Sequence, residues 1–123
     1  MESDDILYVC ITCKKNSEAV EPRPGKILYD NLKRLNSKIN IRPVRCLAGC
    51  SNGCTLSLTN KNKWTHVIGN LTPDQDEADI LSGFSLYKKT RDGKIRFSER
   101  PEAFKKQSLA RVPPENYMVV EDE

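Results

Sequence analysis

The stretch "KILYDNLKRLNSKINIRPVRC", residues 26–46, decides the fold. In its first half, residues 26–37, Leu28, Leu32 and Leu35 fall at i, i+4 and i+7, with Ile27 beside them. That spacing predicts one apolar face of a helix. The second half, "INIRPVRC" (39–46), has the β-branched content of a strand and ends on Cys46. Upstream, "ILYVCI" (6–11) reads as a buried strand that brings Cys10 and Cys13 to its C-terminal end. Strand, helix and strand over this length predict a βαβ crossover with parallel, adjacent strands. Between the first strand and the helix, "KKNSEAVEPRPGK" (14–26) reads as a loop, with Pro22, Pro24 and Gly25 as breakers.

Downstream, "TLSLT" (55–59) and "WTHVI" (64–68) alternate as short strands, and the four residues "NKNK" between them close a hairpin. A second helix follows, with Thr72 as N-cap, Pro73 at N1 and Gln75 completing a capping box. Ile80, Phe84 and Tyr87 form its core stripe, with Leu81 alongside; Lys88 and Lys89 suit its C-terminal end, and "TRDGK" (90–94) turns the chain. Residues 95–114 hold one short strand and one short helix, and the acidic tail from residue 114 onward is loose. The order β-α-β-β-β-α is that of an α+β, thioredoxin-like core: two main helices on a mixed sheet, in one domain over residues 1–113.

The chain has 123 residues, 37% hydrophobic and 30% charged, enough for one core. A net charge of +3, with no Lys/Arg run interleaved with aromatics, argues against nucleic acid as a partner. No apolar run approaches the roughly 18 residues that span a bilayer. The acidic start "MESDDILYVC" is unlike a secretory signal, so a cytoplasmic location is expected.

Reducing conditions and an odd count of five cysteines fit a disulfide framework poorly. Cys10 and Cys13 form one clump; Cys46, Cys50 and Cys54 in "VRCLAGCSNGC" (44–54) form another. A thioredoxin-like dithiol oxidoreductase would use the first pair, but needs its thiol at a helix N-terminus. Here a loop of about a dozen residues, with two prolines, intervenes, and the second clump is left without a role. Four thiolates suit zinc or iron–sulfur chemistry. A zinc-binding structural or regulatory module remains open, although zinc knuckles are tighter and more symmetric. A 2Fe–2S cluster fits the division better, since each iron takes two thiolates and each clump supplies a pair. Lys14, Lys15, Arg42 and Arg45 flank the clumps and could offset the cluster's negative charge. Gly49 and Gly53, with Ala48, Ser51 and Asn52, would let backbone N–H groups reach the sulfurs; a plain turn explains the same glycines.

"CITC" (10–13), a helix, then "VRCLAGC" (44–50) resemble the thioredoxin-like 2Fe–2S ferredoxins and the related small cluster-binding subunit of respiratory complex I. The layout is similar still more closely to a family of small bacterial predicted metal-binding proteins of unknown function. That family joins these motifs to "GNL" (69–71), "RP" (100–101) and "ARVP" (110–113), so the likeness covers about residues 6–113. The resemblance implies Cys10 and Cys13 as ligands of one iron, and Cys46 and Cys50 of the other. The first pair stands closer together than in those ferredoxins. Cys54 is surplus to the pattern: a buried structural thiol, a spare ligand or a replacement for Cys50. The resemblance further implies a one-electron carrier rather than an enzyme, a homodimer, and a reductase and an acceptor enzyme as redox partners. The bacterial family suggests a connection with cobalamin synthesis.

Among other residues, His66 stands alone, which excludes a Rieske-type site, and it reads as a surface or interface histidine. Trp64 reads as packing, or as a subunit contact if its sheet face is open. The acidic run from Asp74 to Asp79 reads as a helix N-terminus. No phosphate loop and no Ser–His–Asp set is present.

Overall fold

A computed structural model describes residues 5–12, 23–45 and 54–114. In chain order the elements are β1 (Ile6–Cys10), α1 (Pro24–Leu35), β2 (Ile41–Val44), β3 (Leu56–Asn60), β4 (Lys63–Ile68), α2 (Glu77–Lys89), a 3-10 turn (Phe97–Glu99), α3 (Glu102–Lys106) and β5 (Ser108–Val112). The strands form one sheet in the order β2-β1-β3-β4-β5. β1 and β2 are parallel neighbours, with Cys10 opposite Val44; the other pairings are antiparallel. The βαβ crossover and the mixed sheet expected from the sequence are therefore present.

Across the ladder, Val9, Leu56 and Ile68 form one row and Leu7, Leu58 and His66 another. These rows face Leu28 and Leu32 of α1 and Ile80, Phe84 and Tyr87 of α2, all buried in a single core. Ile6, Tyr8, Thr59, Thr65 and Val67 point to the opposite face and are partly exposed. Pro43 is tolerated because β2 is an edge strand and has no second neighbour to donate to.

Several local expectations shift. Helix α1 begins at Pro24, which occupies the first turn instead of breaking the chain, since its missing N–H is an orphan there anyway. Leu35 is 58% exposed rather than part of the buried stripe. A 12-residue helix is about 18 Å long and the four-residue β2 about 13 Å, so the last helical turn overhangs the sheet. The hairpin loop is two residues, Lys61 and Asn62, because Asn60 and Lys63 already pair. Helix α2 starts at Glu77, not at Pro73. Asp74 adopts φ 67°, a left-handed conformation that cannot continue a helix and that Asp tolerates. Thr72 and Asp76 close that turn reciprocally: Asp76 N–H donates to Thr72 O, and Thr72 N–H to Asp76 Oδ2 at 2.6 Å.

The acidic run is consumed locally. Glu77 accepts from Asn31 Nδ2 and the Asp74 N–H, both at 2.7 Å, and Asp79 accepts the Ala103 N–H. The Asn31 bond ties α1 to the start of α2. Between α2 and α3, Gly83 leaves room for the Phe104 ring; a Cβ there would lie 2.3 Å from Phe104 Cζ. The tail from residue 115 lies outside the described residues. No described helix is long and apolar enough to cross a membrane.

Candidate metal centre

Parallel pairing carries the C-terminal ends of β1 and β2 to the same rim of the sheet. Cys10 N–H donates to Thr55 O at 3.0 Å, and Ile11 N–H donates to Val44 O at 2.9 Å. The Cys10 thiol is 2% exposed; its Sγ lies 3.4 Å from Arg45 O and 3.7 Å from Thr12 Oγ1. The Thr12 hydroxyl donates to Arg45 O. Thus the residue before Cys13 and the residue before Cys46 are hydrogen-bonded to each other across the rim. Cys13, Cys46 and Cys50 themselves lie outside the described residues.

Cys54 is fully buried at the same rim, because antiparallel β3 starts where β1 and β2 end. Its N–H donates to Leu71 O, and Leu71 N–H returns a bond to Cys54 O at 3.2 Å, extending the ladder beyond β3 and β4. Arg45 and Cys54, the described residues on either side of the segment that holds Cys46 and Cys50, flank the end of β1. Among the described residues, no three His, Cys, Asp or Glu side chains gather as a metal site.

The rim also has features that the spacing of cysteines did not reveal. Arg23, the residue before α1, donates from its guanidinium to Thr12 O at 2.9 Å. The start of α1 thus lies one arginine side chain from Thr12, nearer than the intervening loop suggested. Nothing in the sequence marks Thr12 or Arg23, because their partners are 33 and 11 positions away. Arg45 is exposed at the rim, whereas Arg42 lies mid-strand, opposite Tyr8, and donates to Asn40 Oδ1.

His66 does not lie on the surface: it is 3% exposed, its Nε2 donates to Gly93 O, and its ring meets the edge of Tyr87. β5 pairs with the strand that carries it, so β4 is not an edge strand. Burial pushes its pKa below 6.5; the Gly93 bond opposes this, and the positive charges of Arg100 and Arg111 add to it. Burial, together with the Asp5 charge, raises the Tyr87 phenol above its ordinary value. Trp64 is half-buried, with Lys94 and Arg111 against its ring, and not on an open sheet face.

A family model described as "Protein of unknown function (DUF1636)" matches residues 7–114, from β1 past the end of β5. A search of curated proteins found no match. Among solved structures, a thioredoxin-like [2Fe-2S] ferredoxin from Aquifex aeolicus matches with a TM-score of 0.58 and 12% identity. The match covers 95% of this chain and 100% of that one. The fold is thioredoxin-like.

Proposed function

We infer that this chain, which belongs to the DUF1636 family, is an electron carrier holding one 2Fe–2S cluster on Cys10, Cys13, Cys46 and Cys50. One observation carries this reading: Thr12 and Arg45, the residues immediately before Cys13 and Cys46, bond to each other beside Cys10. Two thiol-bearing segments so anchored can converge on one centre, and four thiolates match what such a cluster requires. When bound, the cluster supplies one-electron redox chemistry.

The chain's own residues supply anchorage and electrostatics. β1 fixes Cys10 through its ladder bonds on both sides. Thr12 ties the two segments by donating its hydroxyl proton to Arg45 O, with its oxygen 3.7 Å from Cys10 Sγ. Arg23 and Arg45 bring positive charge to a place where thiolates would gather. Cys54, fully buried and bonded through its backbone to Leu71, is read as a structural thiol. Partners would be a reductase and an acceptor protein.

A second reading draws support from the Arg23 bond to Thr12. With the start of α1 that near, Cys10 and Cys13 could serve as an exchanging dithiol.

Purification without oxygen separates the readings. The carrier gives a brown chain with visible charge-transfer bands and about two irons and two sulfides. Cys46→Ser abolishes the colour and Cys54→Ser keeps it. A colourless chain with about one zinc overturns the proposal in favour of a zinc module. A metal-free chain whose thiols cycle with a dithiol reductant overturns it in favour of the dithiol. Colour lost in Cys54→Ser but kept in Cys50→Ser reverses the ligand assignment.

A further inference from the structure

The small net charge of the whole chain conceals an uneven distribution. Residues 88–111 hold nine Lys and Arg (Lys88, Lys89, Arg91, Lys94, Arg96, Arg100, Lys105, Lys106, Arg111) against three acids (Asp92, Glu99, Glu102), a balance of +6. The chain total is +3, so the remaining residues sum to −3. Ion pairs among the described residues are Lys26–Asp30 and Lys63–Asp5, and neither uses a cation from this segment.

The fold gathers four of these cations around two aromatic rings. Phe97 is 62% exposed, with the Arg100 guanidinium and the Lys105 ammonium each 5.7 Å from its ring centre. Trp64 has Lys94 at 5.2 Å and Arg111 at 5.0 Å. Lys94 and Phe97 are three residues apart in the chain, which keeps the two groups close, and Arg111 pairs opposite His66 on the strand that carries Trp64. One exposed phenylalanine is ordinary. An exposed ring with two cations, beside a second ring with two more, is the composition of an interaction surface: Arg and aromatics at the centre, charge around them.

We propose that the surface formed by Trp64, Lys94, Phe97, Arg100, Lys105 and Arg111 docks an acidic protein surface that places an apolar side chain against Phe97. Charge complementarity selects the partner. A nucleic acid fits less well: Trp64 is half-buried beneath its cations, which leaves one ring rather than a row of stacking platforms. The α3 side of the surface approaches the rim, whereas Trp64, at the start of β4, lies toward the opposite end of the sheet. Gly69 N–H, just beyond the end of β4, donates to Gln107 O at 2.9 Å, so α3 ends beside the rim. β4 lies two strand spacings from β1, about 10 Å. The proposal rests on the electron-carrier reading only in naming the partner as a redox protein.

The test titrates the full-length, nitrogen-15-labelled chain with a short glutamate-rich peptide carrying leucines, and follows backbone amide shifts. The expected result is shifts at residues 94–111 and on β4, which weaken as salt rises from about 20 to about 200 mM. Lys94→Glu combined with Arg111→Glu, both at exposed positions, should weaken binding about tenfold. The amide spectrum itself reports whether this variant is folded; Phe97→Ser supplies a second variant that should lose the leucine contribution alone. No shifts, shifts centred on α1, undiminished binding by the double variant, or tighter binding of a single-stranded oligonucleotide of equal charge would each overturn the proposal. A chain that binds the peptide here yet never binds iron keeps the docking surface and loses the carrier.

Discussion

Strand β1 ends in two different chemistries. At its foot, the Asp5 carboxylate lies 2.8 Å from Lys63 Nζ and accepts Asn60 Nδ2 at 2.9 Å. Lys63 also donates to Tyr87 O at 3.0 Å and lies over the Tyr87 ring, while the Tyr87 hydroxyl donates to Trp64 O. At the other end, five residues on, Cys10 is held by ladder bonds, and its sulfur faces a carbonyl and a hydroxyl. The foot links β1, β4 and α2 through side chains that satisfy one another, so its value is in stability. At the rim the acceptors are backbone carbonyls: Cys10 N–H donates to Thr55 O, and the side chains of Thr12 and Arg23 donate to Arg45 O and Thr12 O. Under the proposed function, the stabilising network and the cluster thiols occupy opposite ends of one strand.

The sharpest way to break this contrast is Cys10→Ser. It should abolish visible absorption of the anaerobically purified chain while costing only about 1 kcal/mol in urea unfolding; retained colour would remove Cys10 from the site. Lys63→Met is the reciprocal change at the foot. It leaves the buried Asp5 carboxylate without this cation and should cost about 3 kcal/mol, with the iron bound per folded chain unaltered. Loss of iron at unchanged stability would show the two ends to be coupled. Gly83→Ala probes the α2–α3 joint, where the new methyl would collide with the Phe104 ring; a loss of about 2 kcal/mol is expected.

The smallest effect is a pH slope. His66 gives up its proton more readily when folded than when unfolded, where it titrates near 6.5. Below that pH the unfolded chain binds a proton that the folded chain resists, so stability is fully present above about 6.5 and declines as pH falls through it. His66→Gln should flatten this part of the stability profile, measured by urea midpoints against pH. An unchanged slope would mean that His66 carries none of it.

Local signals suffice where one short segment decides the outcome. The spacing of Leu28 and Leu32, the stripe Ile80, Phe84 and Tyr87, and the β-branched run ending at Cys10 specify their elements directly. Boundaries moved where a single backbone angle or partner intervened, as with Asp74 at the start of α2 and Pro24 at the start of α1. Leu35 satisfies the helical period yet is exposed, because periodicity says which side a residue faces but not whether a strand extends beneath it. For the candidate centre, the two cysteine clumps were legible as pairs. Their anchoring through Thr12, Arg23 and Arg45 was not, since those contacts join distant positions through unremarkable residue types.

By itself, then, the sequence determined the strand–helix–strand unit and the placement of cysteines after its strands, because apolar period and residue order are local properties. Only the tertiary structure decided that His66 is buried, that Asp5 meets Lys63 some 58 positions away, and that four cations of residues 88–111 gather around Phe97 and Trp64. The Asp5–Lys63 pair depends on β3 lying between β1 and β4, and the other two on the chain after α2 packing back onto the sheet. That return is governed by the shape of surfaces formed only once the chain has folded.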